Sequence, residues 1–231
     1  MDARGQSASC GFIVNVQGPP RLTVTRFLSF GDSLTAGVLS PAVMMLIVSP
    51  PESYPFVLQG RLVAGYRQQT PVVLNEGNPG EQASGTGVQR FRGVLLQQRP
   101  EVVLLMEGTN DLLSGQNGAN AAIDALRAMI TEARSQGVRV ALATIPPQRL
   151  GGRRDAVARS IPAFNDRIRA LASAEGAALV DVFNGMKDDL TYIGIDDLHP
   201  TARGYDAMAT IYFEAIKSTY EARPALGWFP R

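Results

Sequence analysis

The fold is decided by a stretch of twelve residues, LTVTRFLSFGDS, which runs from Leu22 to Ser33. The part up to Phe30 is rich in β-branched and aromatic side chains and lacks a helical period, which predicts a buried β-strand. Gly31 and Asp32 both tolerate a tight turn. We therefore expect Ser33 at the carboxyl end of the strand, where open α/β sheets bind their ligands. Gly-Asp-Ser is also ordinary turn chemistry, so this tripeptide alone favours a plain connection between strand and loop.

The composition limits the possible classes of protein. The chain has 231 residues, of which 45% are hydrophobic and 19% are charged, and this suits one globular domain with a sizeable core. The formal net charge is +1 and no basic block is present, which argues against binding to nucleic acid. Cys10 and His199 are the only residues of their types, so neither a disulfide framework nor a zinc site is expected. We expect no metal and no organic cofactor.

The amino-terminal region is expected to be a flexible leader over residues 1–21, followed by a single domain over residues 22–231. Residues 1–18 are small and polar and lack the apolar run of a signal peptide. The protein is therefore expected in the cytoplasm, or exported by a signal that this chain does not carry. The longest apolar run, from Ala42 to Val48, is too short to cross a bilayer, so no transmembrane segment is predicted.

Strands and helices alternate along the rest of the chain. Short apolar runs predict four further strands, at 71–75, 101–106, 138–144 and 177–182. Periodic apolar positions predict five helices, at about 53–66, 86–98, 119–136, 155–175 and 201–220. Such alternation implies parallel pairing with helices on both faces of the sheet. We therefore predict a three-layer α/β/α sandwich around a flavodoxin-like, five-stranded parallel sheet.

Polar loops follow four of the predicted strands. In chain order they are Gly31-Asp32-Ser33, the glycine-rich loop 77–85, Gly108-Thr109-Asn110-Asp111 and Asp196-Asp197-Leu198-His199-Pro200. The carboxyl ends of parallel strands lie at the same edge of a sheet, so Ser33, loop amides, Asn110 and the only histidine are expected to converge there. A hydroxyl nucleophile, an imidazole, carboxylates and amide donors are the groups that acyl transfer requires.

The chain resembles the GDSL esterase/lipase family, also called the SGNH hydrolases. The similar blocks are Gly31-Asp32-Ser33-Leu34, Asn75-x-Gly77-x-x-Gly80, Gly108-x-Asn110-Asp111 and Asp196-x-x-His199-Pro200. They come in the order of the family and span nearly the whole chain. The resemblance implies the SGNH hydrolase fold and a serine hydrolase that works without a cofactor.

The resemblance also implies the roles of individual residues. Ser33 becomes the nucleophile, His199 the general base and Asp196 the acid that orients the imidazole. The implied oxyanion hole consists of the backbone amides of Ser33 and Gly80 and the side-chain amide of Asn110. The chemistry agrees, because serine is a poor nucleophile until a neutral imidazole takes its proton, and a carboxylate orients that imidazole.

Neighbouring polar residues receive structural interpretations. Asp197 is the less favoured alternative to Asp196 as the partner of the imidazole. Asp32 is expected to brace the turn, and Asp111 to bind backbone around the third loop. The basic segment from Arg149 to Arg154 is expected to be a solvated turn.

The connection from Val38 to Pro51 is apolar and bounded by prolines, so a long helix is not expected there. It leaves the turn of the nucleophile directly, and methionine side chains form adaptable apolar surfaces. We therefore expect Met44 and Met45 to form a wall of the acyl pocket or a flap over it. The alternative is a loop that packs on the surface of the protein. Two further candidate substrate contacts, Asp32 and Leu34, flank the nucleophile.

These observations predict a serine esterase that hydrolyses carboxylic esters with short-to-medium acyl chains through an acyl-enzyme. A carbohydrate O-acetyl esterase, a lysophospholipase and a thioesterase are alternatives within the class, and the expected partner is a small-molecule ester. A flavodoxin-like nucleotide or flavin binder is the alternative from another class, suggested by Ser84 to Gly87. In such binders the phosphate loop follows the first strand, where this chain has Gly-Asp-Ser-Leu. The last alternative is an inactive family member that serves as a binding module. It ranks below the others because all the reactive residues are present.

Overall fold

A five-stranded parallel sheet organises the protein. The structure, a computed structural model, describes residues 18–40 and 46–222. The strands are β1 (Arg26–Gly31), β2 (Val38–Leu39), β3 (Ile47–Val48), β4 (Val72–Gly77), β5 (Val102–Met106), β6 (Arg139–Ala143) and β7 (Ala178–Val180). The main sheet has the order β4-β1-β5-β6-β7, and every neighbouring pair is parallel. This is the flavodoxin-like order, so the predicted sheet is confirmed.

Helices cover both faces of the sheet. They are α1 (Ser33–Ala36), α2 (Tyr54–Gly65), α3 (Val88–Gln98), α4 (Gly115–Ser135), α5 (Asp155–Glu175), α6 (Val182–Met186) and α7 (Ala202–Tyr220). On one face α2 packs against α7, and on the other α3, α4 and α5 pack side by side. The three-layer α/β/α sandwich is therefore confirmed. No described helix combines the length and hydrophobicity that a membrane span needs.

The central strands are the most buried part of the core. The side chains of Phe27, Leu28 and Phe30 on β1 are fully buried, as is all of β5. Burial on both faces explains why these strands read as continuous apolar runs in the sequence. The rings of Tyr54 and Tyr212 stack with their centroids 4.5 Å apart, which joins α2 to α7. The sheet edge that carries the polar loops is thus supported by helices from both ends of the chain.

The turn after β1 requires glycine for reasons of space. A Cβ atom on Gly31 would lie 2.4 Å from the carbonyl oxygen of Met106 and 2.2 Å from Oγ1 of Thr35. On the neighbouring strand, a Cβ atom on Gly77 would lie 2.1 Å from the backbone nitrogen of Ala36. The first turn of α1 therefore sits directly on the ends of β1, β4 and β5. Close approach of neighbouring atoms explains both glycines, and for Gly31 it replaces the tolerance of a tight turn expected from the sequence.

The described part of the connection after α1 is a small antiparallel ribbon. Val38 pairs with Val48, and Leu39 pairs with Ile47. Val38 and Leu39 are buried, whereas Ile47 and Val48 are 45% and 55% exposed. The prolines of the connection did not predict this pairing. Pro50 and Pro51 lie in the 3₁₀ turn Pro50–Glu52, which follows the ribbon, so they do not interrupt its strands.

Candidate active site

Ser33, His199 and Asp196 form one line of contacts at the carboxyl edge of the sheet. The Oγ atom of Ser33 lies 3.0 Å from Nε2 of His199, and Nδ1 of the same ring lies 2.5 Å from Oδ2 of Asp196. Ser33 and His199 are 8% and 6% exposed. The structure therefore brings together the three residues predicted as nucleophile, base and orienting acid. These distances allow a proton to pass from the hydroxyl to the imidazole while the carboxylate holds the ring.

The loop that carries the imidazole also fixes the carboxylate. Oδ1 of Asp196 accepts hydrogen bonds from the backbone N–H groups of Leu198, at 3.3 Å, and His199, at 3.0 Å. The backbone N–H of Asp196 donates to Oγ of Ser40 at 3.1 Å, which ties this loop to the segment after the nucleophile. Burial acts to raise the pKa of Asp196, but the hydrogen bonds and charge of His199 outweigh it and lower the pKa to about 2. The group therefore remains ionised at neutral pH, as an orienting acid requires.

Asp197 faces away from the imidazole. Its Oδ1 accepts from Nε of Arg149 at 3.1 Å, and its Oδ2 accepts from the backbone N–H of Arg153 at 3.2 Å. A guanidinium N–H of Arg149 also donates to the carbonyl oxygen of Ile193 at 2.7 Å. The alternative that Asp197 partners the imidazole is therefore wrong. The expectation of a merely solvated basic turn is also wrong for Arg149, which holds the loop of the candidate acid and base.

Asn110 projects a fixed side-chain amide toward the same edge. Its Nδ2 donates to the carbonyl oxygen of Glu81 at 2.7 Å and lies 3.4 Å from Oδ2 of Asp32. The short bond sets the orientation of the amide, while the long one leaves the second N–H weakly engaged. The backbone N–H groups of Ser33 and Gly80 have no acceptor among the described residues. Gly80 has a φ of +81°, a conformation that favours glycine at this position of the loop.

Two carboxylates hold the loop that contains Gly80. Asp111 accepts from the backbone N–H groups of Ala83, at 2.8 Å, and Ser84, at 3.0 Å. Its target is therefore the backbone of the second loop, not that of the third loop as the sequence suggested. Both carboxylate oxygens of Glu81 accept from Nε of Arg90 at 2.8 Å, and the Arg90 guanidinium lies 3.9 Å from the centroid of the Phe30 ring. No local pattern predicted this pair, because glutamate and arginine are ordinary surface residues.

Two buried carboxyl groups lie beneath the site. Asp32 is 1% exposed, and its Oδ1 accepts from the backbone N–H of Leu34 at 2.9 Å, which caps α1 and confirms its expected bracing role. Burial raises the pKa of Asp32 to about 7, against the lowering effects of the Leu34 N–H and of His199. Burial also raises the pKa of Glu107 well above its ordinary range, and the nearby charges of Asp32 and Glu81 add to this. Both groups therefore hold protons more tightly than surface carboxyls do.

The candidate substrate contacts have mixed outcomes. Asp32 and Leu34 flank the nucleophile but are almost completely buried, at 1% each, which leaves little side-chain surface for a substrate. Met44 and Met45 lie outside the described residues, so their predicted place at the acyl pocket stays a prediction. No group of three or more histidine, cysteine or acidic side chains in the described ranges is placed to hold a metal ion.

Comparison with known proteins identifies the family. The sequence profile of the GDSL-like Lipase/Acylhydrolase family matches residues 29–207. The chain belongs to this family. The match begins just before Gly-Asp-Ser and ends after His199, so it contains all four blocks on which the resemblance rested. A comparison with curated proteins gives no match.

Solved structures of similar fold include several esterases. A lipase/acylhydrolase from Enterococcus faecalis is 23% identical with a TM-score of 0.72, and the match covers 88% of this chain and 100% of that one. The acetylxylan esterase Axe2 from Geobacillus stearothermophilus is 20% identical with a TM-score of 0.67, covering 83% and 94%. Est24, a carbohydrate acetylesterase from Sinorhizobium meliloti, is 17% identical with a TM-score of 0.69, covering 84% and 99%. At these identities the likeness shows the fold.

Together, the family and the fold identify the protein as a carboxylic ester hydrolase. This confirms the predicted enzyme class and replaces the alternative of a nucleotide or flavin binder. A small-molecule substrate follows from the same class.

Proposed function

We propose that the enzyme hydrolyses carboxylic esters with short-to-medium acyl chains through a Ser33-His199-Asp196 triad. The observation that carries this proposal is the continuous contact from Oγ of Ser33 to Nε2 of His199 at 3.0 Å and from Nδ1 to Asp196 at 2.5 Å. A serine with this arrangement gains a base for its proton, and the base gains a carboxylate that stabilises its cation. We also propose that residues 22–231 form one catalytic domain behind a leader of residues 1–21.

The reaction follows from the positions of these groups. Oγ of Ser33 attacks the ester carbonyl carbon while Nε2 of His199 takes the hydroxyl proton. The oxyanion that forms accepts hydrogen bonds from the N–H groups of Ser33 and Gly80 and from Nδ2 of Asn110. The imidazolium then gives its proton to the leaving alcohol, which leaves an acyl group on the serine. Water repeats the attack with the same base, and the acid is released.

The oxyanion donors are held before the substrate arrives. The Glu81 carbonyl fixes the Asn110 amide, and Arg90 in turn fixes the Glu81 carboxylate. Donors that need not reorient during the reaction stabilise the transition state more than mobile ones do. The pair of Glu81 and Arg90 therefore supports catalysis by positioning Asn110 and does not act on the substrate.

Removal of the nucleophile tests this function. Ser33→Ala should reduce kcat by about 10⁶-fold on 4-nitrophenyl esters, the scale seen when a triad nucleophile is removed. The matched control is Ser218→Ala, because Ser218 is exposed and its hydroxyl bonds only the backbone of its own helix. A sulfonyl fluoride should label Ser33 in the wild type. Full activity in Ser33→Ala, or the label on another serine, would refute the triad.

A carbohydrate O-acetyl esterase is the second candidate. The acetylxylan esterase and the carbohydrate acetylesterase among the structural neighbours favour it, although at 20% and 17% identity they share with this chain only the fold. A panel of 4-nitrophenyl esters from acetate to decanoate, run beside acetylated xylo-oligosaccharides, separates the two. A preference for acetate together with release of acetate from the oligosaccharides would select the second candidate. Higher kcat/KM on butyrate or hexanoate would select the first.

A further inference from the structure

A cleft that the proposed mechanism does not use lies beside the candidate site. It has a volume of about 420 Å³ and lies between the beginnings of α4 and α5. Most of its lining is apolar, and its basic side chains all come from α5 or the turn before it. The apolar side chains include Leu112, Val157 and Phe164, and the basic ones are Arg153, Arg154 and Arg167.

The walls of the cleft are continuous with the loops of the candidate site. The Phe164 ring packs on Gly108, where an added Cβ atom would lie 2.7 Å from the ring, and Leu112 follows Asn110 by two residues. On the other side, the backbone N–H of Arg153 bonds Asp197, which adjoins the candidate acid. One wall of the cleft thus adjoins the loop of Asn110, and the other adjoins the loop that carries Asp196 and His199.

Arg154 has hydrogen-bonding capacity that the described residues do not use. Its Nε donates to Oε1 of Gln148 at 3.2 Å, while its Nη2 atom is buried and has no partner in residues 18–40 and 46–222. Nε2 of Gln148 is buried without a partner in the same ranges. Unpaired buried donors are uncommon because each loses its bonds to water, and the loss is greater for a charged group. Arg154 lines the cleft and Gln148 does not, so a turn of the Arg154 guanidinium toward an acceptor bound in the cleft would satisfy its donor.

Arg154 forms no direct ion pair with a carboxylate among the described residues. Burial lowers the pKa of the Arg154 guanidinium, and the carboxylates of Asp196 and Asp32 act against this from a distance. Asp155, the next residue in the chain, bonds Arg159 and the backbone N–H of Gly151 instead. The charge of the candidate catalytic acid therefore acts to raise the pKa of Arg154, yet no described carboxylate forms a hydrogen bond with this arginine.

We propose that this cleft binds an oxyanion group, such as a carboxylate, carried by the ester substrate, and that Arg154 recognises it. The inference rests on the proposed esterase function and names the class of ester. A guanidinium offers two parallel N–H donors that match a carboxylate. The apolar walls would contact the hydrocarbon that links the carboxylate to the ester. The substrate is then an ester with a negative charge on either its acyl or its alcohol part.

The experiment compares two matched pairs of esters. Monoethyl adipate and ethyl hexanoate differ by a charge on the acyl side, and 4-acetoxybenzoate and its methyl ester differ by a charge on the alcohol side. The readout is the ratio of kcat/KM for the charged ester to that for the neutral one. Arg154→Gln should lower this ratio about tenfold or more in one of the two pairs, the size expected for a charge-assisted hydrogen bond. The affected pair identifies which side carries the charge.

Two variants control the result. Arg154→Lys keeps the charge without the planar fork and should retain part of the ratio. Arg92→Gln removes the same charge from an exposed ion pair with Glu132, where the Arg92 side chain is 70% exposed, and should leave both ratios unchanged. Ratios within about twofold of the wild type in Arg154→Gln, or an equal fall in Arg92→Gln, would overturn the proposal.

A binding measurement separates this proposal from the proposed function. In the Ser33→Ala background, calorimetry with 4-acetoxybenzoate and with monoethyl adipate should detect binding of at least one of these charged esters, and Arg154→Gln should weaken that binding about tenfold. If the wild type hydrolyses neutral esters but neither ratio nor binding depends on Arg154, only the cleft assignment fails. If the wild type hydrolyses none of the four esters, the function fails as proposed, and the binding data alone decide the cleft. Thermal unfolding of each variant shows that the comparisons are made on folded protein.

Discussion

Replacing Asp32 with asparagine should change how the stability of the protein depends on pH. The carboxyl group is buried, and burial raises its pKa to about 7 in the folded protein. In the unfolded chain an aspartate titrates near its ordinary value of about 3.9. Asparagine cannot ionise, but its carbonyl oxygen can still accept the hydrogen bond from the backbone N–H of Leu34. The substitution therefore removes the titration while keeping the cap of α1.

The sign follows from which state holds the proton. Below about pH 4 the carboxyl is protonated in both states and contributes no pH dependence. Between about pH 4 and pH 7 the folded protein keeps the proton that the unfolded chain has lost, so the free energy of unfolding falls as the pH rises. Above about pH 7 the carboxyl is ionised in the folded protein as well, and the full free-energy cost of burying its charge is present. A difference of this size between the folded and unfolded pKa corresponds to at most about 4 kcal/mol.

The assay is urea unfolding of both proteins at intervals from pH 4 to pH 8. Subtracting the wild-type free energy from that of Asp32→Asn cancels the groups that titrate alike in both. The difference should shift in favour of the variant by up to about 4 kcal/mol as the pH rises. Asp206→Asn is the matched control, because its side chain is 59% exposed and its ion pair with Arg61 contributes little. A difference that stays level within about 0.5 kcal/mol, or that moves toward the wild type, would refute the reasoning.

Three further substitutions test the candidate site and its support. Asp196→Asn should lower kcat by about 10⁴-fold. Because the pKa of this group is lowered to about 2, the variant should also lose about 2 kcal/mol of stability above pH 4. Urea titrations should show that this loss of stability disappears as the pH falls toward 2. Asn110→Ala should reduce kcat by about 10²- to 10³-fold with little change in KM, and an unchanged kcat would remove this residue from the oxyanion hole. Gly77→Ala should destabilise the protein by about 1–3 kcal/mol, because the new Cβ atom would lie 2.1 Å from the Ala36 nitrogen. Gly93→Ala, in a helix with open space around it, is the control and should stabilise by about 0.5–1 kcal/mol in thermal unfolding.

The fold was predictable because its signals are local and repeated. Each buried strand is a short apolar run, and each helix shows its own period, so their alternation determined a parallel sheet. The boundaries were less accurate. The first strand was predicted from Leu22 but begins at Arg26, because Leu22 forms a separate bridge with Glu221 near the other end of the chain. A contact over that separation leaves no trace in a local pattern.

The candidate site was predictable to the extent that its residues follow strand ends. Ser33, Asn110 and His199 lie on loops at one edge of the sheet, and topology alone brings such loops together. Their supports were not predictable in the same way. Arg90 holds Glu81 beneath Phe30, and Asp111 holds the backbone of Ala83 on a different loop. Each of these residues is polar and unremarkable in sequence, and its partner is set by packing.

The basic segment before α5 illustrates why a local interpretation is incomplete. Arg149 and Arg154 lie five residues apart and had the same solvated interpretation. The fold supplies Arg149 with the carboxylate of Asp197 and several carbonyl oxygens, so this side chain stabilises the loop of the candidate acid and base. Among residues 18–40 and 46–222, Arg154 finds one glutamine oxygen, and its buried Nη2 donor has no partner there. Because an unpaired buried donor reduces stability, the contrast between the two arginines favours a ligand role for Arg154 over a structural one.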